Sequence, residues 1–472
     1  MTSDRLTKIR ELLEAHEQSH LLGGWDRLDE TAREALLNQL QLLPWETIDV
    51  VRESIQHRVE SNPPPSNLEP PQTCDPAGPD AAGFFDRGAE LIAAGRVAAF
   101  TVAGGQGTRL GWNGPKGTFP ATAVSGKPLF AIFAEQLRAA QRRYDVVIPW
   151  YIMTSPLNDA ATRAFFLDNK CFGLHRSNIM MFPQGTMPSF DARTGDLLLA
   201  SPGVVAENPD GHGGALDAMA RSGALADMES RGITIVSSFQ VDNPLVRVVD
   251  ECFIGMHESD EHSSAEVSSK MVLKEDPSEP VGVFCRVDGR THVVEYSDLP
   301  SDLAEVRNGD GSLRFGAASI AVHLYSVPFV SQLTGQGGDP LPWHRALKKS
   351  SWWDAASGAM VEPEGPNVIK LERFIFDIVP RAERSAILRT ERSHEFAPIK
   401  NATGPDSLET SQQIQSDLYG GWLRQHGVQV PQDDAGRTTV RIEIEPLTAM
   451  RPGDLAGSDL PAAIEPGGSL LL

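Results

Sequence analysis

Apolar residues recur at spacings of three and four through residues 1–60, which predicts helices. Thr31-x-x-Glu34 reads as a capping box opening DETAREALLNQLQLL, with Leu36, Leu40 and Leu43 on one face. Proline then takes over, at positions 63, 64, 65, 70, 71, 76 and 79. That density sustains neither helix nor central strand, so the segment is a linker or a wrapping arm. From about Arg96 the pattern changes again. VAAFTVAGG is a short apolar run that stops at glycines, as a buried strand does. Pro128 to Arg143 reads as a helix, with Leu129, Ile132, Phe133 and Leu137 apolar. VVIPWYIMTS and ITIVSSFQVDN are further strands. Near the C-terminus, Val440, Ile442 and Ile444 alternate with Arg441 and Glu443, which predicts a half-buried strand. Strands alternating with helices point to an α/β fold with a mainly parallel sheet. The expected layout is a helical region over 1–60, a proline-rich arm over 61–95, a main α/β domain over 96–390 and a small β-rich domain over 391–472.

Composition narrows the class. With 40% hydrophobic and 22% charged residues among 472, the chain is globular rather than disordered or fibrous. A formal charge of −21 argues against non-specific nucleic-acid binding and against adhesion to an anionic membrane. Cys74, Cys171, Cys252 and Cys285 lie far apart with no CxxC pair, which suits a reducing compartment. The first twenty residues are charged and lack an apolar signal core, and no apolar run is long enough to span a bilayer. The expectation is a soluble cytoplasmic protein with neither nucleic acid nor membrane as partner.

The densest chemical signal is AGGQGTRLGWNGPKG, residues 103–117. It follows a predicted strand, so it sits at that strand's carboxyl end, where open α/β sheets bind ligands. Gly104, Gly105, Gly107 and Gly111 let the backbone approach a ligand, and the N–H groups of such a loop form an anion nest. Arg109 and Lys116 add two cations, which together suit a polyphosphate. The Rossmann fingerprint fails, because three residues separate Gly107 from Gly111. Walker A fails too, because Pro115 precedes Lys116.

GGQGTRLG with PKG resembles the signature of the UDP-sugar pyrophosphorylases, most of all the eukaryotic-type UDP-N-acetylglucosamine pyrophosphorylases. The likeness continues in order through SGKPLFAIFAEQL (125–137), PWYIMTS (149–155), MMFPQG (180–185), PDGHGG (209–214), QVDNPLVR (240–247) and EPVGVFCRVDG (279–289). It extends through VVEYSDL (293–299), DGSL (310–313), KLERFIFD (370–377), EFAPIKNA (395–402) and IEIEPL (442–447). The resemblance implies a Rossmann-like, GT-A-like nucleotidyltransferase domain. It also implies that UTP and a sugar 1-phosphate become a UDP-sugar and pyrophosphate, with Mg²⁺ as cofactor.

Carried over by position, the resemblance implies that Arg109, Lys116 and Lys400 act on the phosphates. Gly104, Gly105, Gly107 and Thr108 would hold the nucleotide, with Gln184, Gly211 and His212 near the base. Asp242 would hold the metal. Gly282, Glu295, Tyr296, Ser319, Phe374 and Phe376 would contact the sugar. An amide suits an imide edge, and a carboxylate can accept from two sugar hydroxyls. Two positions depart from the N-acetylglucosamine branch. His212 stands where PDGNGG has Asn, and Ser319 stands where an AGN segment has Asn. N-acetylglucosamine 1-phosphate is the expected acceptor; glucose 1-phosphate, or several sugars, is the alternative. Two remoter readings are an inactive UDP-sugar sensor and a metallohydrolase built on His16-Glu17-Gln18-Ser19-His20, which fits H-E-x-x-H.

Overall fold

A computed structural model of the chain describes residues 2–57, 67–335 and 340–472. Its packing divides into two units of interleaved segments. The larger holds Pro64–Gln184, Ala215–Pro340 and Phe376–Leu472; the smaller holds Met1–Pro63, Gly185–Gly214 and Leu341–Ile375. The chain thus leaves the larger unit and returns to it, where the sequence suggested consecutive domains.

A nine-stranded sheet centres the larger unit. Its strands are β1 (Val97–Val102), β2 (Trp150–Thr154), β3 (Ile179–Pro183), β4 (Ile235–Gln240), β5 (Val267–Leu273), β6 (Val283–Val287), β7 (Arg290–Val294), β8 (Ala317–Ser326) and β9 (Ile387–Arg389). The run VAAFTV becomes β1, buried at every position. It pairs in parallel with β2 and β4, and β2 pairs in parallel with β3. The order β3-β2-β1-β4 places a switch point in strand order beside β1, and the loops after β1 and β4 leave from neighbouring strand ends.

The other half of the sheet departs from expectation. β8 runs antiparallel to β4, and β5 and β6 run antiparallel to β8. The sheet is therefore mixed rather than mainly parallel. One local cause is readable: Val287 pairs with Arg290 across Asp288-Gly289, both at positive φ (50° and 82°). That is the two-residue turn that folds adjacent strands into a hairpin.

The helix Leu129–Tyr144 buries Leu129, Ile132, Phe133 and Leu137, as its periodicity predicts. Phe133 meets Phe239 edge-on at 5.1 Å and Phe130 meets Phe166 at 4.9 Å. Trp150 donates its indole N–H to Thr101 Oγ1 at 2.8 Å, so the buried polar atom has a partner.

Pro63, Pro64 and Pro65 lie outside the described residues. Beyond them the arm wraps the sheet. Glu69 exchanges two backbone hydrogen bonds with Arg286, and Cys74 bonds to Ile387 and Arg389. Inside the segment read as arm, Ala81–Ala93 forms a helix. It lies so close to the helix Glu251–Ser259 that a Cβ on Gly88 would sit 1.8 Å from the Glu251 carbonyl oxygen.

The tail, expected to be β-rich, has as its longest element the helix Leu408–Gln425, opened by a Ser407/Thr410 capping box. Val440, Ile442 and Ile444 are buried, and Arg441–Glu443 pairs in parallel with Ser469–Leu471. Glu443, on the face expected to be solvated, is only 3% exposed. Its carboxylate accepts from the backbone N–H groups of Val124 (2.9 Å) and Ser125 (2.7 Å) and from the Ser125 hydroxyl (2.6 Å). Three donors offset the cost of taking the charge out of water.

In the smaller unit, Leu36, Leu37 and Leu40 pack with Ile48, Val51, Ile55, Phe190 and Leu371. The helix Glu30–Leu42 starts earlier than the Thr31 capping box requires. Asp29 is its N-cap, accepting from Ala32 N at 2.8 Å, so Thr31 lies inside the first turn. The H-E-x-x-H pattern does not lie on one helix. The helix Thr2–Ala15 ends before His16, and Glu17 has φ +55°. His16 bonds Asp49 at 2.8 Å and stacks on Trp45, while His20 bonds the Leu197 carbonyl at 2.8 Å. Both imidazoles serve packing, and the helical spacing that a zinc-binding pair needs is lost. Among the described residues, no helix is long and apolar enough to cross a membrane.

Candidate active site

At the switch point, the backbone N–H groups of Gly104, Gly105 and Gln106 find no acceptor among the described residues. The loop around them is closed by Lys116 N to Gly105 O (3.1 Å), Gly107 N to Gly114 O (2.9 Å) and Trp112 N to Gly107 O (3.0 Å). Three successive backbone donors without an acceptor, in a closed loop, are available to an anion. Thr108 and Arg109 follow on an exposed 3₁₀ turn, Thr108–Leu110.

Gln184 follows β3 and anchors its backbone N–H on Thr154 O at 2.9 Å. Its side-chain Oε1 lies 2.3 Å from where a Cβ on Gly104 would stand. Only glycine at 104 lets this amide lie over the loop. Among the described residues the amide makes no hydrogen bond, so both its donor and its acceptor are available.

Lys116 Nζ lies 3.2 Å from Asp242 Oδ2, with the two side chains 16% and 19% exposed. Asp242 stands two residues past the end of β4. Its carbonyl oxygen accepts from Ile399 N at 2.9 Å, which brings Lys400 to the next position along that segment. The Lys400 ammonium pairs with Asp406 at 3.2 Å and lies 5.4 Å from the Phe396 ring. No group of three His, Cys, Asp or Glu among the described residues could hold a metal alone. A hard cation at Asp242 would take its other oxygens from phosphate and water, and Mg²⁺ accepts such a donor set.

Three of the expected sugar residues come together in the antiparallel half of the sheet, Ser319 on β8, Gly282 just before β6 and Glu295 just after β7. Ser319 N donates to Gly282 O at 2.9 Å, and a Cβ on Gly282 would stand 3.2 Å from Glu295 Oε1. Tyr296 is 53% exposed and Phe376 is buried in the turn Ile375–Arg381.

The smaller unit holds the remaining expected residues. Gly211 has φ +83°, and a Cβ there would meet the Arg373 carbonyl oxygen at 2.5 Å. Asp210 and Arg373, each 3% exposed, pair at 3.0 Å, and Arg373 N donates to Asp210 O at 2.9 Å. The guanidinium lies 4.3 Å from the Trp343 ring. This pair fixes the PDGHGG turn. Sequence reasoning assigned it no role, although an Arg inside the apolar string KLERFIFD signals a buried partner. His212 Nδ1 accepts from Ile375 N at 3.0 Å, so its proton is on Nε2. Its ring stacks on Phe374 at 5.5 Å, and Phe374 stacks on His344 at 4.4 Å. Burial, then the neighbouring His344, push the His212 pKa down to about 4. His212 is thus neutral at pH 7 and does an acceptor's work, which an Asn carbonyl could also do.

The sequence profile of the UTP–glucose-1-phosphate uridylyltransferase family matches residues 86–444. A UDP-N-acetylhexosamine pyrophosphorylase-like protein 1 from Xenopus tropicalis is 38% identical over 439 residues, 89% of this chain and 84% of that one. The UDP-N-acetylglucosamine pyrophosphorylase of Saccharomyces cerevisiae is 34% identical over 441 residues, 89% of this chain and 92% of that one. Among solved structures, the uridine diphosphate N-acetylglucosamine pyrophosphorylase of Trypanosoma brucei, crystallised with an inhibitor, superposes with a TM-score of 0.79. It is 25% identical and is covered over 98% of its length, against 99% of this chain.

The His212 geometry generates a pH prediction. A folded value near 4 against an ordinary 6.5 means that the unfolded chain binds a proton the native state refuses. The stabilisation is complete above about pH 6.5 and is lost as pH falls through 4. In His212→Asn the melting temperature should therefore fall less steeply than in wild type across that window; parallel curves would remove His212 as the titrating group.

Proposed function

We propose that this chain, which belongs to the UTP–glucose-1-phosphate uridylyltransferase family, transfers a uridylyl group from UTP to N-acetylglucosamine 1-phosphate and releases pyrophosphate. The observation that carries the reading is the nest of free N–H groups beside the Lys116–Asp242 pair at the switch point. Attack of the sugar phosphate on the α-phosphorus of UTP needs positioning and charge neutralisation rather than a covalent nucleophile. The nest and Lys116 would hold the triphosphate, and Arg109, exposed above it, would follow the charge that develops on the leaving pyrophosphate. Mg²⁺ held by Asp242 would neutralise phosphate oxygens when bound. Lys400 would take the sugar-linked phosphate. The Gln184 amide suits the imide edge of uracil. Gly282, Glu295 and Ser319 would form one wall for the sugar. The four unpaired thiols fit a reducing compartment, and we assign the protein to the cytoplasm.

One observation favours glucose 1-phosphate as the alternative. Ser319 is shorter than an amide and offers a single hydroxyl where the N-acetylglucosamine branch places Asn. His212 bears less on the choice, since its Nδ1 is committed to the Ile375 N–H.

The test is pyrophosphate release from UTP and Mg²⁺ with a panel of sugar 1-phosphates, compared by kcat/KM. The expected order puts N-acetylglucosamine 1-phosphate first. A preference for glucose 1-phosphate moves the enzyme to the other branch, and no release with any sugar leaves a UDP-sugar sensor. Arg109→Ala should lower turnover at least tenfold, about 1.4 kcal/mol of barrier; near-wild-type turnover would remove it from the reaction. Ser319→Asn should raise the ratio of N-acetylglucosamine to glucose activity, and an unchanged ratio would exclude position 319 as a selector.

A further inference from the structure

Two of the ordered motif strings meet side by side in the larger unit, QVDN at 240–243 and EFAPIK at 395–400. Each carries one residue assigned above to the reaction, Asp242 and Lys400. What joins them is Asn243, to which the function gives no role. Its Nδ2 donates to Glu395 O at 2.6 Å, and its Oδ1 accepts from Ala397 N at 3.0 Å and from Leu245 N at 3.2 Å. Asn243 is 5% exposed, and each end of its amide is engaged, so it offers little to a ligand. With Ile399 N donating to Asp242 O, the side-chain amide extends a strand-like ladder along residues 395–399. In such a ladder a slip of one residue turns every side chain to the opposite face.

The ladder has a fixed origin. The Glu395 carboxylate accepts from Lys270 and from Thr390 Oγ1 (2.9 Å), and Lys270 also bonds Asp250 at 2.6 Å. Lys270 is wholly buried. On the far side, Ser411 Oγ donates to Ala397 O at 2.6 Å. The segment cannot slide without unpairing a buried charge.

We propose that Asn243 is a positioning residue that sets where Lys400 stands relative to Asp242, with the Lys270–Glu395 pair as its anchor. The proposal rests on the uridylyl transfer proposed above and adds a residue that touches neither substrate. It predicts that losing Asn243 harms the reaction through Lys400 rather than through nucleotide binding. UTP would be held by the Gly104–Gln106 nest, which Asn243 does not contact.

The experiment is a double-mutant cycle on Asn243→Ala and Lys400→Ala. Asn243→Ala should lower kcat/KM for the sugar 1-phosphate at least tenfold and change the KM for UTP less than about threefold. The double variant should be no slower than Lys400→Ala alone. Multiplying effects, a matching rise in the KM for UTP, or a wild-type Asn243→Ala would each overturn the proposal. If Asn243→Ala does not fold, Asn243→Ser runs the same cycle: it keeps a short neutral polar side chain but cannot bridge Glu395 O and Ala397 N together. Should Lys400→Ala itself turn over at the wild-type rate, the role given to Lys400 in the reaction fails first, and positioning fails with it. That outcome is distinct from an impaired Lys400→Ala whose effect multiplies with that of Asn243→Ala.

Discussion

The larger unit depends on one ammonium group. Lys270 sits on β5 with no exposed surface and bonds the carboxylates of Asp250 and Glu395. Burial alone would push its proton off; the two carboxylates outweigh that and raise its pKa. Burial would likewise keep Asp250 protonated, yet Lys270 and Arg247 hold its carboxyl well below the usual carboxylate range. Asp250 is also the N-cap of Glu251–Ser259, accepting from Phe253 N. A strand, a helix start and the segment leading to Lys400 therefore share one charge cluster. Such a cluster adds little over an apolar core of the same volume, but removing one member leaves an unpaired buried charge, at a cost of about 3–5 kcal/mol. Its contribution is to geometry more than to net stability.

The smaller unit repeats the device. Asp210 and Arg373 bury opposite charges where a glycine-rich turn passes within contact of a strand end. The backbone of Gly211 and Gly213 comes too near Arg373 for any Cβ, so the turn has no slack to absorb a wrong residue. In both units, a buried ion pair stiffens the backbone around it, on one side the segment that leads to Lys400 and on the other the turn at Gly211.

The sequence made β1, β2 and β4 legible because they are buried along nearly their whole length. VAAFTV is apolar but for one threonine, ITIVSSFQ carries four apolar residues around two buried serines, and the helix Leu129–Tyr144 shows its core face directly. The antiparallel half was not legible, since a strand's apolar pattern does not encode its direction; only the Asp288-Gly289 turn announced a hairpin. At the candidate site, the glycine loop with Arg109 and Lys116 stood out by residue type alone, whereas Asp242 and Gln184 were singled out only through the resemblance. Asn243, Lys270 and Glu395 did not stand out, because each matters only through a partner distant in the chain. A lysine between Ser269 and Met271 in an apolar strand was a signal that a carboxylate had to lie opposite it. Glu443 and Thr31 misled for the same reason. Alternation and capping motifs report local preference, whereas Val124, Ser125 and Asp29 supplied stronger partners.

Glu443 also sets an order in time. The turn at Val124 and Ser125 joins the glycine loop to the helix that covers the sheet, and the carboxylate that satisfies its N–H groups lies 318 residues downstream of Ser125. Lys127 likewise waits for Glu445, at the same sequence separation. During synthesis this turn is made 318 residues ahead of the carboxylate that will hold it, and until then only water satisfies its donors. Until then that turn lacks its final restraints, so a nascent chain that has already built β1 to β4 does not yet hold the loop as the finished protein does.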